Sequence, residues 1–402
     1  MALVDLELDL SPEEQAIRDT VHKFAAEVMR PAGEELDKLA DPADVIAKDS
    51  VLWDVFKKYR ALGLGEFGGG TGGEELTPMQ RARLGCITGE ELGWGDTGLG
   101  VSLGVAGFPG LLANMSGNPA LIERFGSDEV IGCWAVTEPD HGSDMVDFAA
   151  RVGTGDYGRP NCIARKDGDS FVISGQKAAW VSNGTIATAA ALFCGVDMGS
   201  GPEGCGVFVA PLDEGGVTPG KPLDKIGQRP LNQGELFFDE LRVPAEYMVV
   251  PPEGYQFAIE MVLTMANGGM GTSFVGLARA ALELAIDYAK ERIQGGAPII
   301  EHQSVKARLF EMFRKVEAAR ALNRKVVLYN TVNAPGQLHY AIASKVTSTQ
   351  TAFEVSSAAL QIFGGNGLSR EYPIEKIMRD ARASLIEDGC NDVLSLVGAG
   401  RL

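Results

Sequence analysis

The sequence contains little histidine and little cysteine, and neither type is clustered. Its four histidines and six cysteines are scattered over 402 residues. No Cys-x-x-Cys pair is present. A disulfide framework needs closely spaced cysteines in a small chain, and a zinc site needs grouped ligands. We therefore expect neither a disulfide framework nor a zinc site.

Positive charge is also scarce. The formal net charge is −18 at pH 7, whereas nucleic acids and anionic membranes attract proteins through a positive face. We expect no nucleic-acid or membrane partner, although a local basic pocket could still bind an acidic ligand. Residues 1–7 lack the basic start and apolar run of a secretion signal. We recognise no run of about 18 apolar residues that would span a bilayer, so the expected location is cytoplasmic.

The chain does contain enough apolar material for a large core. With 402 residues, 45 % of them hydrophobic, two or three domains are expected. The capping box Ser11-Pro12-Glu13-Glu14 predicts a first helix of roughly 18 residues. Further helical patterns cover residues 53–62 and 77–92 and begin again at Pro119. The first part of the chain, residues 1–128, is therefore predicted to be a helical domain.

The pattern changes in the middle of the chain. Short apolar runs rich in β-branched and aromatic residues indicate a small β domain over residues 129–246; they are Phe171-Val172-Ile173, Val207-Phe208-Val209 and Leu236-Phe237-Phe238. Pro251-Pro252 marks a boundary. Beyond it, three sets of apolar residues at helical spacing predict a bundle of long helices over residues 247–402. The predicted class is α+β.

The C-terminal region carries the most specific motif. Glu387-Asp388-Gly389-Cys390-Asn391 follows Arg379-Asp380-Ala381-Arg382 and the segment from Gln361 to Gly367. These segments resemble the C-terminal third of the acyl-CoA dehydrogenases, whose catalytic base is normally a glutamate in a Glu-Gly-Thr segment at this spacing. Alignment without a gap places Asp388 at the base, with Glu387 as the alternative. The order helical, β, helical is also that of this family.

The resemblance implies a fold and an activity. The expected fold has an N-terminal helical domain, a middle β domain and a C-terminal helical bundle. The expected cofactor is FAD, and the expected reaction is α,β-dehydrogenation of an acyl-CoA thioester. Electrons are expected to pass to an electron-transfer flavoprotein. The acyl group is not specified, although the shorter base and the small Ala266 suggest a bulky or cyclic one.

The segment from Trp134 to Asp144 resembles the flavin loop Thr-Glu-Pro-x-x-Gly-Ser-Asp of the same family. By that resemblance, the backbone of Val136 and Thr137 contacts the pyrimidine edge of the flavin. Ser143 is expected between the flavin and the pantetheine of the ligand. Short hydroxyl side chains can donate hydrogen bonds to a reduced flavin without adding bulk.

A second segment, from Gly175 to Gly184, resembles Gly-x-Lys-x-Trp-Ile-Thr-Asn. In the family, the aromatic residue covers the flavin and the hydroxyl residue reaches its N5 atom. The resemblance therefore assigns these roles to Trp180 and Ser182. One extra residue separates Lys177 from Trp180 relative to many family members, so we expect a rebuilt turn.

Further site residues follow from the resemblance alone. Arg292 matches an arginine that binds the FAD pyrophosphate of a neighbouring subunit, which implies a homodimer or homotetramer. The remaining expected FAD contacts are Gln361, Gly364, Gly365, Cys390 and Asp392. The expected substrate contacts, besides Ser143, are Thr97, Asn267 and Gly389. Gly295 replaces the aromatic residue that usually packs on adenine.

One motif is set aside, and two alternative functions remain open. Residues 63–68 match the dinucleotide motif G-x-G-x-x-G, but a helical pattern precedes them and more glycines follow, so we interpret them as a surface loop. A flavin oxidase such as nitroalkane oxidase also uses an aspartate base, but pairs it with an arginine where this chain has Ser395. A weakly catalytic subunit of a hetero-oligomer would explain the departures at positions such as Asp388 and Asn267.

Overall fold

The N-terminal part of the molecule is helical, as predicted. A computed structural model describes residue 6 and residues 10–63, 76–146 and 160–402, so most of the glycine-rich segment 63–68 lies outside the described residues. The N-terminal helices are α1 (Pro12–Phe24), α2 (Arg30–Lys38), α3 (Pro42–Val45), α4 (Val51–Ala61), α5 (Pro78–Gly95), α6 (Thr97–Ala106), α7 (Phe108–Ser116) and α8 (Pro119–Phe125).

The capping box forms at the start of α1. Ser11 Oγ accepts the backbone N–H of Glu14 at 3.2 Å, and the Glu14 carboxylate accepts the N–H of Ser11 at 2.8 Å. A π-helical stretch, Ala25–Met29, joins α1 directly to α2. The helical segment is therefore longer than predicted, because its buried face continues through Met29 into α2.

The expectation that no segment is long and apolar enough to cross a bilayer is not met. Residues Thr97–Ser116 pass that test by length and composition, with a mean hydropathy of 1.3. Helix α6 ends at Ala106 and α7 begins at Phe108, and both helices contact the sheet of the middle domain. Core helices of globular proteins pass the same test, so this segment carries no membrane assignment.

The middle of the chain forms one sheet. Its strands are β1 (Gly132–Ala135), β2 (Ile163–Asp167), β3 (Ser170–Lys177), β4 (Ala189–Asp197), β5 (Pro202–Pro211), β6 (Val217–Pro219), β7 (Leu236–Pro244) and β8 (Met248–Val250). The order is β6-β7-β3-β2-β4-β5-β8. Strands β1 and β2 pair in parallel with successive parts of β4, whereas the other pairs are antiparallel.

The C-terminal part is the predicted helical bundle. Its elements are α9 (Pro252–Glu291), the hairpin β9 (Ile293–Gln294) and β10 (Ala297–Pro298), α10 (Gln303–Val332), α11 (Leu338–Phe363), α12 (Ile374–Ala383) and α13 (Asn391–Ala399). Phe193 of β4 packs with Tyr255 and Ile259 of α9 in one apolar cluster. The sheet and the bundle therefore share a core, and the segment joining α12 to α13 lies on the bundle side.

A buried charge network joins α5 to α9 and α10. Glu90 accepts hydrogen bonds from Arg279 at 2.7 Å, Arg320 at 2.8 Å and Arg324 at 3.1 Å. Arg279 also donates to Glu91 at 2.9 and 2.5 Å. Burial alone would raise the pKa of Glu90, but the three arginines keep it below its usual value. The network therefore fixes the N-terminal helices on the bundle through ionised groups.

We expect Glu90→Gln to destabilise the protein by about 3–5 kcal/mol, because arginines would lose a buried counter-charge. The matched control is Glu311→Gln, since Glu311 pairs with Arg314 on the exposed surface of α10. That change should cost less than about 1 kcal/mol. Urea unfolding of both variants measures the difference, and equal losses would contradict the structural role of the buried network.

Candidate functional site

The segment between α12 and α13 has an unusual backbone. Asp388 has φ +54° and Gly389 has φ +89°. Aspartate tolerates the left-handed region better than most residues, whereas a Cβ at Gly389 would lie 2.9 Å from the Leu394 side chain. Among the described contacts, Asp388 Oδ2 is buried and has no hydrogen-bond partner. A buried polar atom without a partner requires an explanation, and contact with a ligand is one.

Two adjacent carboxyl groups in this segment have raised pKa values. Burial raises the pKa of Asp388, and the positive charge of Lys345 acts against it. Burial also raises the pKa of Glu387 to about 7, against the opposing effects of Gln228, Lys345 and Lys225. Gln228 Nε2 donates to Glu387 Oε1. Glu387 is therefore engaged within the protein, which favours Asp388 as the carboxylate available to a ligand.

Contacts on either side of Asp388 fix the segment. Lys345 Nζ donates to the carbonyl of Gly389 and to Asn391 Oδ1, both at 2.8 Å. The backbone N–H of Cys390 donates to Ser143 Oγ at 2.9 Å. We call residues 387–391 the base segment and residues 134–144 the flavin loop. The structure brings these two parts of the predicted site together through Ser143.

A buried ion pair supports the flavin loop. Lys177 Nζ donates to Glu138 Oε1 at 2.7 Å and to the carbonyl of Val136 at 3.1 Å. The carbonyl of Thr137 accepts the N–H of Ala178 at 2.8 Å. The Lys177 and Glu138 side chains are both fully buried. The end of β3 therefore fixes the backbone at both residues expected to contact the flavin.

The second flavin segment presents a large aromatic surface. Trp180 is 58 % exposed, although tryptophan is usually well buried. Gln233 Nε2 donates to the Trp180 carbonyl at 3.2 Å and to Ser182 Oγ at 3.4 Å. Bridges from Ser182 to Trp134 and to Gln233 place it beside the end of β1. An exposed indole next to an oriented hydroxyl fits a planar cofactor.

The predicted residues at the far end of the bundle form a separate group. Arg292 is exposed at the end of α9, and Gln361 is exposed near the end of α11. Tyr288 stacks on Phe363 with ring centroids 4.0 Å apart, which brings the ends of the two helices together. Positions 364 and 365 face open space, since no atom lies within 4 Å of a Cβ built at either glycine. No described contact joins this group to Asp388.

Three other predicted residues have contrasting surroundings. Thr97 and Asn267 are buried, and among the described residues Thr97 Oγ1 and Asn267 Oδ1 have no hydrogen-bond partner. Asp392 is exposed in the first turn of α13. These placements leave their proposed substrate and cofactor roles as predictions.

The sequence interpretation missed two supporting residues, Gln228 and Lys345. Gln228 has φ +48°, and its backbone N–H donates to the carboxylate of Asp380. No local pattern marks Gln228, because its partners Asp380 and Glu387 lie more than a hundred positions away. Lys345 had a detectable signal, since it occupies the apolar face of α11 at helical spacing from Ala341 and Ala352.

These residues fit FAD. The exposed indole of Trp180 could cover a planar ring, and Ser143 and Ser182 supply hydroxyl groups. The exposed Arg292 is a cation suited to a diphosphate, and there is open space around Gly364 at the end of α11. The described residues include no group of three or more acidic, histidine or cysteine side chains that could bind a metal.

Comparison with known families gives three consecutive matches. Residues 11–134 match the profile "Acyl-CoA dehydrogenase, N-terminal domain". Residues 133–241 match the middle domain of that family, and residues 253–402 match its C-terminal domain.

Individual relatives agree. The chain is 30 % identical to short-chain specific acyl-CoA dehydrogenase, mitochondrial, of Rattus norvegicus, over 98 % of this chain and 91 % of the relative. Its structure resembles butyryl-CoA dehydrogenase of Megasphaera elsdenii with a TM-score of 0.83 and 27 % identity, covering 98 % and 99 % of the two chains.

Two further solved structures resemble this chain. One is described as the electron transferring flavoprotein of Acidaminococcus fermentans, and it resembles this chain with a TM-score of 0.82 and 27 % identity over 98 % and 99 % of the chains. An active-site mutant of nitroalkane oxidase has a TM-score of 0.83 over 98 % of this chain and 96 % of the oxidase. Its identity of 22 % shows a shared fold alone.

The raised pKa of Glu387 predicts a pH dependence of stability. Because its folded-state pKa of about 7 exceeds the ordinary value of about 4.3, its contribution to stability is complete in acid and is lost as the pH rises through 7. Glu387→Gln cannot ionise there, so its stability relative to wild type should increase from pH 5 to pH 8. Urea unfolding at both pH values measures this, with exposed Glu311→Gln as the control. A constant difference would show that Glu387 is not buried as described.

Proposed function

We propose that this chain, which belongs to the acyl-CoA dehydrogenase family of FAD-dependent oxidoreductases acting on CH–CH groups, introduces an α,β double bond into an acyl-CoA thioester. The observation that carries the proposal is the partnerless, buried Oδ2 of Asp388, in the segment where the family places its base. FAD, when bound, supplies the acceptor for the hydride leaving the β-carbon.

Asp388 contributes two groups to the proposed reaction. Its carboxylate accepts the α-proton of the thioester, and its raised pKa makes it a better proton acceptor than an ordinary aspartate. Its backbone N–H donates to no described residue. That N–H can therefore donate to the thioester carbonyl oxygen, which acidifies the α-carbon.

The two rival functions have less support. The nitroalkane-oxidase interpretation requires an arginine near the aspartate, but at that position Ser395 is exposed and donates to the carbonyl of Asn391 at 2.7 Å. The weak-subunit interpretation rests on departures from the family pattern, yet the segment around Asp388 is fixed by contacts on both sides. Dehydrogenation with an external acceptor is therefore the proposal.

We propose an electron-transfer flavoprotein as that acceptor, because family members use one and the Acidaminococcus structure resembles this chain. For the acyl group we propose a short or compact chain in place of the bulky or cyclic one that the short base suggested, since the relatives named above are short-chain and butyryl-CoA enzymes. Flavin bleaching by straight, branched, cyclic and steroid-like acyl-CoAs tests this choice. Preferential turnover of long straight chains would overturn it.

Asp388→Asn should abolish flavin reduction by substrate while FAD remains bound, because the amide cannot accept the α-proton. Stopped-flow bleaching of the flavin by an acyl-CoA that the wild type turns over measures the loss. Glu387→Gln is the matched control and should keep most of the rate. Normal reduction in Asp388→Asn with loss in Glu387→Gln would assign the base to Glu387 instead.

Arg292→Ala should weaken FAD retention, because we propose that Arg292 binds the FAD pyrophosphate of a neighbouring subunit in a homodimer or homotetramer. The flavin-to-protein absorbance ratio after gel filtration measures the loss, and light scattering gives the assembly. Arg314→Ala, also an exposed arginine in the bundle, is the control. Full flavin occupancy in a monomer would contradict the shared site.

A further inference from the structure

Lys345 is a fully buried lysine whose charge the proposed chemistry has not yet used. Two of its three possible hydrogen bonds go to the segment that carries Asp388, to the Gly389 carbonyl and to Asn391 Oδ1, both at 2.8 Å. A buried lysine is costly unless its charge is needed or compensated. Its position therefore requires an explanation beyond packing.

The first contact acts on the backbone next to Asp388. Asp388 and Gly389 both have positive φ, and the carbonyl that follows this turn is the one that Lys345 binds. Without that donor, the polar carbonyl would lose its partner within the protein. Lys345 thus opposes any rotation of the turn that would move the Asp388 side chain.

The second contact belongs to a small closed network. Asn391 Nδ2 donates to Thr349 Oγ1 at 3.0 Å, and Thr349 Oγ1 donates to the carbonyl of Lys345 at 2.9 Å. Lys345, Thr349 and Asn391 therefore support one another across α11 and the start of α13. This arrangement fixes the Lys345 ammonium relative to the base segment.

The charges around Lys345 give it an electrostatic effect as well. The titratable groups whose charges act on Lys345 are Asp388, Glu387 and Cys390, all in the base segment. Burial lowers the pKa of Lys345, and these three groups act in the opposite direction. The positive charge of Lys225 also acts to lower the pKa of Glu387. Lys345 is the charged group that opposes the effect of burial on Asp388.

We propose that Lys345 is a positioning residue for the dehydrogenation, fixing the turn that aims Asp388 and keeping its carboxylate ionised in a buried site. This inference rests on the proposed role of Asp388 as the base. Lys345 itself touches no reacting atom, since both of its hydrogen bonds are to the base segment.

The test is the pH dependence of flavin reduction in the FAD-loaded enzyme, measured by stopped flow with an acyl-CoA that the wild type turns over. The acid limb of this profile is the pH range in which the rate falls as Asp388 becomes protonated. In Lys345→Met this limb should move to higher pH by about one unit, because Asp388 loses a nearby positive charge. The limiting rate should fall by on the order of tenfold to a hundredfold, since a small misplacement of the base slows proton transfer. Lys345→Arg should return the limb towards that of the wild type.

Control variants separate the effect of Lys345 on Asp388 from effects of Glu387 and of surface charge. Glu387→Gln alone must retain the acid limb, which assigns it to Asp388 rather than to Glu387. The surface variant Lys315→Met, which breaks an ion pair with Glu354 on the same helix as Lys345, should leave the profile unchanged. If Lys345→Met does not fold, Lys345→Gln keeps an amide donor but no charge, and the same limb shift must appear there.

The outcomes are distinguishable. A Lys345 variant could bind less FAD or be less stable while its active fraction keeps the acid limb of the wild type. That result would show a merely structural role and overturn the inference. Normal flavin reduction in Asp388→Asn would instead overturn the proposed base. Loss in Asp388→Asn combined with an unmoved limb in both Lys345→Met and Lys345→Gln would reject only the role of Lys345.

Discussion

A buried lysine with two carboxylates determines where the three parts of the chain meet. Lys376 Nζ lies 2.5 Å from Asp96, which caps α6, and 2.6 Å from Asp380 in the next turn of α12. Asp380 also accepts the backbone N–H of Gln228, from the middle domain. Because an unpaired buried charge costs several kcal/mol, these three segments can meet in very few ways. The base segment follows α12 after three residues, so this junction also fixes its position.

From this junction, the base segment combines a strained backbone with a polar atom that has no partner. Positive φ at Asp388 and a partnerless Oδ2 both reduce stability. The contacts of Lys345, Ser143 and Gln228 offset this cost by fixing residues 387–391 on several sides. Several hydrogen bonds thus fix the segment around a carboxylate oxygen that has no partner among the described residues.

The sequence predicted the local features of this structure and missed the distant ones. The capping box at Ser11 and the periodic apolar faces of α9, α10 and α11 are short-range patterns, so the helical and β regions were predicted correctly. Gln228 and Glu387 are 159 positions apart, and no local pattern relates them. The continuation beyond Met29 into α2 was missed because the capping signal marks a start and not an end. Motif resemblance predicts Asp388 as the base, but only the fold shows that its Oδ2 has no partner among the described residues and that Glu387 is engaged by Gln228.

The length of the proposed base, Asp388, limits where the proposed substrate can lie. Aspartate reaches about 1.5 Å less far than glutamate, and a ~1 Å misplacement can cost on the order of a hundredfold in rate. The backbone cannot easily make up this distance, because Gln228 binds Glu387 on one side and Ser143 binds Cys390 on the other. The α-carbon must therefore approach the segment more closely than it would approach a glutamate. A compact acyl group can approach Asp388 this closely only if the pocket wall on its far side also lies closer to Asp388. The length of the base and the size of the acyl group are therefore linked.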